Sequence, residues 1–391
     1  MRRRPTGFVL VILLFLFGCS RLPPPPAIPS PLPTPMPRLP SATPDAVITQ
    51  VQGEVNLQQV ITGEIVMASF GGLLWRGDTV KTGQEARAEI LCSDGDSIRI
   101  DANQSVTITC GETPDPDYQR LILRVHQEQI EALPSTRPAP PDDKPRPVVF
   151  SPRSTYVIEP RPTIRWSSVE RAEAYEVIVR KVDRVLWWLE TQESELVYPE
   201  TEPALQAGET YTIEVHARLE SGERLPALES VWLAIPSEAE MEETYQFEAQ
   251  IKSLDLSAES ARFLLASYFA DRELYDAALA ELIPLAEATD SPVIHRLLAD
   301  IYLAIELYDQ AGQSYQVARQ LAQAQNNPLV EAEAEVGLGH VAYAKQEFPP
   351  ALDHYRTALT LYQKLNLDDS AEVVAGFVAD VKLRLPTPTP E

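Results

Sequence analysis

The chain has 391 residues, with 57 acidic and 33 basic side chains, a net charge of −24 at pH 7 and 44% hydrophobic residues. That is enough apolar material for ordinary cores in two or three domains, while so acidic a surface repels phosphates and excludes nucleic acid as an expected partner. The charge is uneven: residues 237–391 carry 26 acidic and 10 basic side chains, and residues 46–236 carry 30 and 18. Acidity of this kind either selects a basic partner or keeps the protein soluble.

The chain opens Met1-Arg2-Arg3-Arg4, runs apolar from Phe8 to Phe17 and then reads Gly18-Cys19. A basic start, a short apolar core and a small residue before the cut describe an export signal over residues 1–18. Ten helical residues rise about 15 Å, half a bilayer core, which argues against a spanning helix. Leu16-Phe17-Gly18-Cys19 resembles the bacterial lipobox. That resemblance implies lipidation at Cys19 and an exported chain tethered to the cell membrane or outer membrane, facing the periplasm or the cell exterior. A plain signal and an uncleaved anchor are the alternatives. Residues 19–44 are the anchor and a proline-rich spacer, with eleven prolines between Leu22 and Pro44. In extended polyproline geometry such a spacer reaches up to ~70 Å.

Residues 45–130 show a period of two. Ala46 to Val51, Val55 to Leu57, Ala86 to Leu91, Ser97 to Ile100 and Ser105 to Ile108 read as short antiparallel strands, with turns at Gly53, Gly77-Asp78, Gly83 and Asp94-Gly95. Asp94, Asp96 and Asp101 suggest calcium only weakly, since Asp94-Gly95 fits a hairpin turn. Cys92 and Cys110 are the remaining cysteines. In an exported chain they form either a disulfide or two reduced, buried thiols. The segment resembles the extracytoplasmic FecR-like domain in Val51-Gln52-Gly53-Glu54-Val55, Leu74-Trp75-Arg76-Gly77-Asp78-Thr79-Val80 and Asp94-Gly95-Asp96-Ser97-Ile98. The resemblance implies a small all-β domain outside the cytoplasm. Some relatives signal to a sigma factor through a cytoplasmic part. Here seven residues precede the apolar run, so direct sigma-factor control is not expected.

Residues 131–147 form a second proline-rich linker. Over residues 148–236 strand-like runs return at Thr163 to Trp166, Ala174 to Arg180, Val185 to Leu189, Thr210 to Val215 and Val231 to Ile235. About seven short strands in this length predict a β-sandwich. The segment resembles a fibronectin type III domain in Trp166, in Ala174-Tyr175-Glu176-Val177 and in Leu205-Gln206-Ala207-Gly208-Glu209-Thr210-Tyr211. The resemblance implies a spacer or adhesion module. Of Trp187-Trp188, one indole points to the core and the other outward.

Residues 237–256 predict a connecting helix with an apolar stripe at Met241, Tyr245, Ala249 and Leu254. Three units follow over residues 257–366. Their shared positions are Ala278, Ala311 and Ala351, spaced 33 and 40 apart, with Tyr275, Tyr308, Phe348 and Tyr315, Tyr355 beside them. A period in this range predicts paired helices stacked as a solenoid. The pattern resembles the tetratricopeptide repeat. Residues 367–385 predict a capping helix, and residues 386–391 a tail. The expected fold class is therefore multidomain: two all-β domains followed by an all-α solenoid.

The repeat resemblance implies a concave partner-binding groove lined by one stripe of each first helix. Those positions are Phe263, Ser267 and Ala270, then Arg296, Asp300 and Leu303, then Val336, His340 and Tyr343. Spacings of four and three put each trio on one helical face. Arg296 and Tyr343 are expected to anchor a partner without supporting the fold. No Walker loop, His-Glu-x-x-His or Gly-x-Ser-x-Gly occurs, and no Cys/His spacing suits zinc. No enzyme activity, cofactor or metal is expected. The expected function is a tethered envelope protein that scaffolds or recruits other envelope proteins through its repeats. A sensor acting through the FecR-like domain and a glycan-binding wall module are the alternatives.

Overall fold

The computed structural model describes residues 44–385, apart from 61–62, 64, 117, 120–121, 123–132, 135, 137–143 and 255. The expected export signal, Cys19, the proline-rich spacer up to residue 43, much of the 131–147 linker and the 386–391 tail lie outside the described residues.

The first β region holds β1 (Ala46–Gln52), β2 (Val55–Gln58), β3 (Ile65–Met67), β4 (Leu73–Leu74), β5 (Thr79–Thr82), β6 (Arg87–Cys92), β7 (Ser97–Ile100) and β8 (Ser105–Thr107). They make two antiparallel four-stranded sheets, ordered β4-β1-β6-β7 and β3-β2-β5-β8. Ile48, Leu57, Val80, Ile90 and Ile100 fill the core that these strands share. The turn before β5 is tied by Asp78, whose carboxylate accepts the N–H groups of Val60 at 2.7 Å and Trp75 at 2.9 Å. Burial pushes the Asp78 carboxyl above its ordinary pKa, and those two donors oppose the shift. A disulfide joins Cys92 at the end of β6 to Cys110, with their Cα atoms 5.6 Å apart.

The sheet containing β1 and β6 is covered on both faces. Ala46, Ile48, Ile90 and Cys92 face the region's own core, whereas Val47 and Leu91 belong to a second core shared with the helices. Strands buried on both sides read as continuous apolar runs rather than clean alternation. Ala46-Val47-Ile48 and Ile90-Leu91-Cys92 are such runs.

The second β region holds β9 (Val149–Ser151), β10 (Thr155–Tyr156), β11 (Thr163–Trp166), β12 (Ala172–Lys181), β13 (Arg184–Thr191), β14 (Glu195–Val197), β15 (Thr210–Leu219), β16 (Arg224–Leu225) and β17 (Val231–Ala234). One sheet runs β10-β17-β15-β12-β13 with β16 on β15, and the other runs β14-β11-β9. Trp166, Trp187, Val177 and Ile213 lie in the core between them. Trp187 is buried and packs edge-on to Tyr198, while Trp188 is 62% exposed. The Tyr211 hydroxyl accepts the Gln206 N–H at 2.9 Å, pinning the loop that leads into β15.

Eight helices follow: α1 (Glu238–Ser253), α2 (Ala258–Asp271), α3 (Tyr275–Ala288), α4 (Pro292–Ala304), α5 (Tyr308–Ala324), α6 (Pro328–Ala344), α7 (Phe348–Lys364) and α8 (Asp368–Arg384). α1 starts on a capping box of Ser237 and Glu240. Its buried face is Thr244, Phe247 and Ile251, not the stripe of Met241, Tyr245 and Ala249 that its spacing suggests. The reason is aromatic: Phe247 stacks on Tyr268 of α2 with centroids 3.9 Å apart. Ser291 and Asn327 cap α4 and α6, and a proline at the first helical position of each has no N–H to leave unpaired.

Five turns between helices repeat one geometry. Glu273, Glu306, Asn326, Gln346 and Asn366 all take positive φ, between 52° and 63°. After each, an N–H reaches back five residues, as from Leu274 to the Phe269 carbonyl at 2.9 Å and from Leu307 to Tyr302 at 2.8 Å. This is a Schellman closure made without glycine. The seven-residue difference between the two alanine spacings is shared out. α5 has 17 residues against 14 in α3, and α6 has 17 against 13 in α4.

Candidate functional site

The nine groove-stripe positions are all less than a tenth exposed. Phe263 packs edge-on against Phe70 of the first β region, with centroids 5.4 Å apart. Ser267 gives its hydroxyl to the Phe263 carbonyl within α2, and Ala270 is buried in the same core. Leu303 sits with Ala299, Tyr315 and Leu338, and Val336 with the cluster around Tyr355. The Tyr355 hydroxyl and His340 Nδ1 are 2.8 Å apart, and the His340 ring lies 5.2 Å from Phe377. Tyr343 donates its hydroxyl to Asp380 at 2.9 Å, and burial together with that acceptor pushes its pKa up to about 12.

Arg296 and Asp300 belong to a buried ion cluster. Arg296 donates to Asp300 at 2.5 Å and lies 2.9 Å from Glu333 of α6, while Tyr315 of α5 donates to the other Asp300 oxygen at 2.6 Å. Two carboxylates thus share one guanidinium. Burial pushes Glu333 up to about 7, with Arg296 opposing and Asp300 adding to the shift. The cluster borders a small cavity of about 30 Å³ that Gln59, Ser69 and Trp75 of the first β region also line. The expectation that Arg296 and Tyr343 do no structural work is corrected: each is a buried polar group satisfied within the chain, so its loss costs stability.

Both β regions are joined to the helices by hydrogen bonds from one to the other. Ser260 donates its hydroxyl to the Thr49 carbonyl, and Ser291, which caps α4, donates to the Phe70 carbonyl. Gly71, at φ +80°, lets this loop approach so closely that a Cβ would stand 2.9 Å from Val293. The sandwich grips the turns of the helix pairs. Thr155 donates to the Glu273 carbonyl at 2.8 Å and accepts the Tyr275 N–H at 2.8 Å, and Ser151 donates to Asp276 at 2.7 Å.

Beside that grip lies a cleft of about 490 Å³. One wall is Tyr156 to Glu159 with Pro162, Thr163 and Arg165 of the sandwich. The other walls are Tyr245, Glu248 and Lys252 of α1, Leu265 and Phe269 of α2, Leu274 just before α3, and Asp276, Ala277, Ala280 and Glu281 of α3. The size and the location at a seam between segments suit a binding site. Burial raises the Asp276 pKa, opposed by Ser151 and by the charge of Arg165. None of these residues stands out in the sequence. Glu273-Leu274-Tyr275-Asp276 recurs as Glu306-Leu307-Tyr308-Asp309, yet Asp309 is solvent-exposed and pairs with Lys345.

Among the described residues no group of three His, Cys, Asp or Glu side chains is placed to hold a metal ion. Among the same residues no helix is long and apolar enough to cross a membrane. Asp94 instead shapes its turn, accepting the Asp96 N–H at 3.0 Å beside Gly95 at φ +87°.

No family model matches the chain, and no curated protein matches it. Among solved structures, a cell surface anchoring domain is similar at 25% identity over 18% of this chain and 97% of its own, with a TM-score of 0.17. Fibronectin(III)-like modules of CbhA from Clostridium thermocellum are similar at 14% identity over 52% of this chain and 84% of theirs, with a TM-score of 0.18. A beta-1,2-glucanase from Parabacteroides distasonis is similar at 10% identity over 85% of this chain and 50% of its own, with a TM-score of 0.21. TM-scores this low carry no argument about fold or activity.

Proposed function

We propose that the chain is a non-enzymatic, membrane-tethered envelope protein that scaffolds or recruits protein partners. In this reading residues 45–130 are a FecR-like module and residues 148–236 a fibronectin type III-like module. Helices α2–α7 are three tetratricopeptide-type repeats closed by α8, and Cys19 carries the lipid. The observation that supports recruitment is the cleft between the sandwich and α1–α3, which is open where the stripe of the first helices is committed to internal packing. Partner contact therefore moves from the middle of the array to its first helix pair and the sandwich beside it.

The test is photo-crosslinking in intact cells. A benzophenone amino acid replaces Tyr245 at the mouth of the cleft or Val317 on α5, both partly exposed. One identified envelope protein crosslinked from Tyr245 and not from Val317, under all growth conditions, supports the scaffold. Crosslinks that appear only with an added ligand favour the sensor, and none from either position removes recruitment. A second reading, glycan binding, is supported by Trp188, which stands exposed on the edge strand β13 of its sheet. Retention on purified peptidoglycan that is lost in Trp188→Ala supports it.

A further inference from the structure

We propose that the cleft takes the guanidinium of an arginine carried on a short apolar segment of a partner protein. This rests on the recruitment reading above and names the chemistry of its site. The floor of the cleft is apolar, with Leu265, Phe269, Leu274 and Ala277. Its cations are already matched: Arg165 donates to Glu195 at 2.6 Å, and Lys252 to Glu248 at 3.1 Å. Of the acids, Glu281 is matched by Arg262 at 3.2 Å. Asp276 accepts the Ser151 hydroxyl and feels the charge of Arg165, but has no ion pair of its own among the described residues, and neither has the exposed Glu159. The charge left to be compensated is thus negative on both sides of the cleft.

A third acceptor comes from the backbone. Residue 284 of α3 is proline and has no N–H to give the carbonyl four residues earlier, which is that of Ala280 on the cleft wall. Two carboxylates and a carbonyl thus belong to residues that line the cleft, whose own cations, Arg165 and Lys252, are already paired. Arginine supplies five N–H donors in a planar fork, more than any other side chain. Tyr156 and Tyr245, 37% and 50% exposed, offer ring faces for the same cation and for apolar neighbours. A volume of about 490 Å³ exceeds one side chain, so the residues flanking the arginine enter too. The net charge of −24 steers a basic segment toward the protein.

The experiment uses the full chain in detergent and a fluorescent hexapeptide, Gly-Leu-Arg-Leu-Ser-Gly, with twins carrying Lys, Gln or Glu at the third position. Binding of the arginine peptide, weaker binding of the lysine twin and loss of about tenfold or more for the Gln and Glu twins are expected. Asp276→Asn, which keeps an acceptor for Ser151, and Glu159→Gln should each weaken the arginine peptide by about tenfold. Pro284→Ala returns a helical donor to the Ala280 carbonyl and should weaken the peptide while stabilising the helix. Ala280→Trp, which fills the cleft without touching a charge, should abolish binding. Equal binding of all four peptides, or arginine-peptide binding untouched by Ala280→Trp, overturns the proposal. So does displacement by free agmatine at the same affinity as the peptide, which would make the ligand a small cation. If no peptide binds while crosslinks from Tyr245 persist, the arginine chemistry falls and recruitment stands; if both fail, recruitment falls with it.

Discussion

Arg153 of the sandwich donates its Nε–H to the carbonyl of Ile305, 152 residues further along the chain, at 2.5 Å. The guanidinium is 1% exposed and also meets Glu229 at 2.6 Å. A buried arginine that spans two segments makes the stability of one depend on the other. Removing it takes a buried cation from Glu229 and a donor from the Ile305 carbonyl, at a cost of about 3 kcal/mol. Arg153→Ala should therefore lower the urea midpoint and split one unfolding transition into two. A single transition at the unchanged midpoint would show that the sandwich and helices are not coupled through this residue.

Glu333 makes stability depend on pH. Its folded pKa of about 7 lies above the ordinary value of 4.5, so between those values the folded state holds a proton that the unfolded state has lost. The stabilisation is fully present below pH 4.5, declines as pH rises and is gone above about pH 7. Other groups titrate as well, so the wild type is compared with Glu333→Gln by urea unfolding at pH 5 and pH 8. The wild type should lose more stability than the variant over that interval, and parallel pH profiles would remove the effect from Glu333.

The helices were legible from the recurrence of Ala278, Ala311 and Ala351, each of which is fully buried. The strands were legible from their short apolar runs. Less visible was what covers β1 on its second face. Alternation suggests one buried face, but Ala46-Val47-Ile48 is apolar at every step, and Val47 turns out to pack with the helices. The stripe assignment failed for a related reason. Spacing identifies which residues share a helical face, but not whether that face meets solvent or another part of the same chain. Phe263 and Arg296 share a face with the expected groove and are covered. The turns between helices were invisible because Glu273 and Glu306 hold a conformation that a sequence usually announces with glycine.

The Cys92–Cys110 disulfide closes a loop of sequence separation 18. A link of that length stabilises by about 3 kcal/mol in the chain-entropy picture. It also holds the segment after β8, where the Cys110 carbonyl accepts Arg76 at 2.9 Å. The double variant Cys92→Ser, Cys110→Ser should unfold at correspondingly lower urea. Its midpoint should match that of the reduced wild type, since both lack the same constraint. Full retention of stability in either would mean that the bond adds nothing to the first β region.

One substitution should have opposite signs at two helical glycines. In a helix interior, alanine is better than glycine by about 1 kcal/mol because it restricts the unfolded backbone and covers the folded one. At Gly376 of α8 an added Cβ meets nothing within 4 Å. Gly376→Ala should therefore stabilise by about that amount. At Gly339 of α6 the Cβ would stand 2.4 Å from Cε1 of Tyr355. That ring cannot easily move aside, because it is fully buried, its hydroxyl meets His340 at 2.8 Å and its face meets Phe377 at 5.4 Å. Overpacking of this kind costs about 1–3 kcal/mol, enough to outweigh the helix preference. Gly339→Ala should thus destabilise, and Gly339→Ala with Tyr355→Phe should recover little, since the clash is with the ring and not the hydroxyl. Gly339→Ala with Tyr355→Leu should recover more. Thermal unfolding of the four variants decides it, and a stabilising Gly339→Ala would mean that α6 and α7 cross further apart than described.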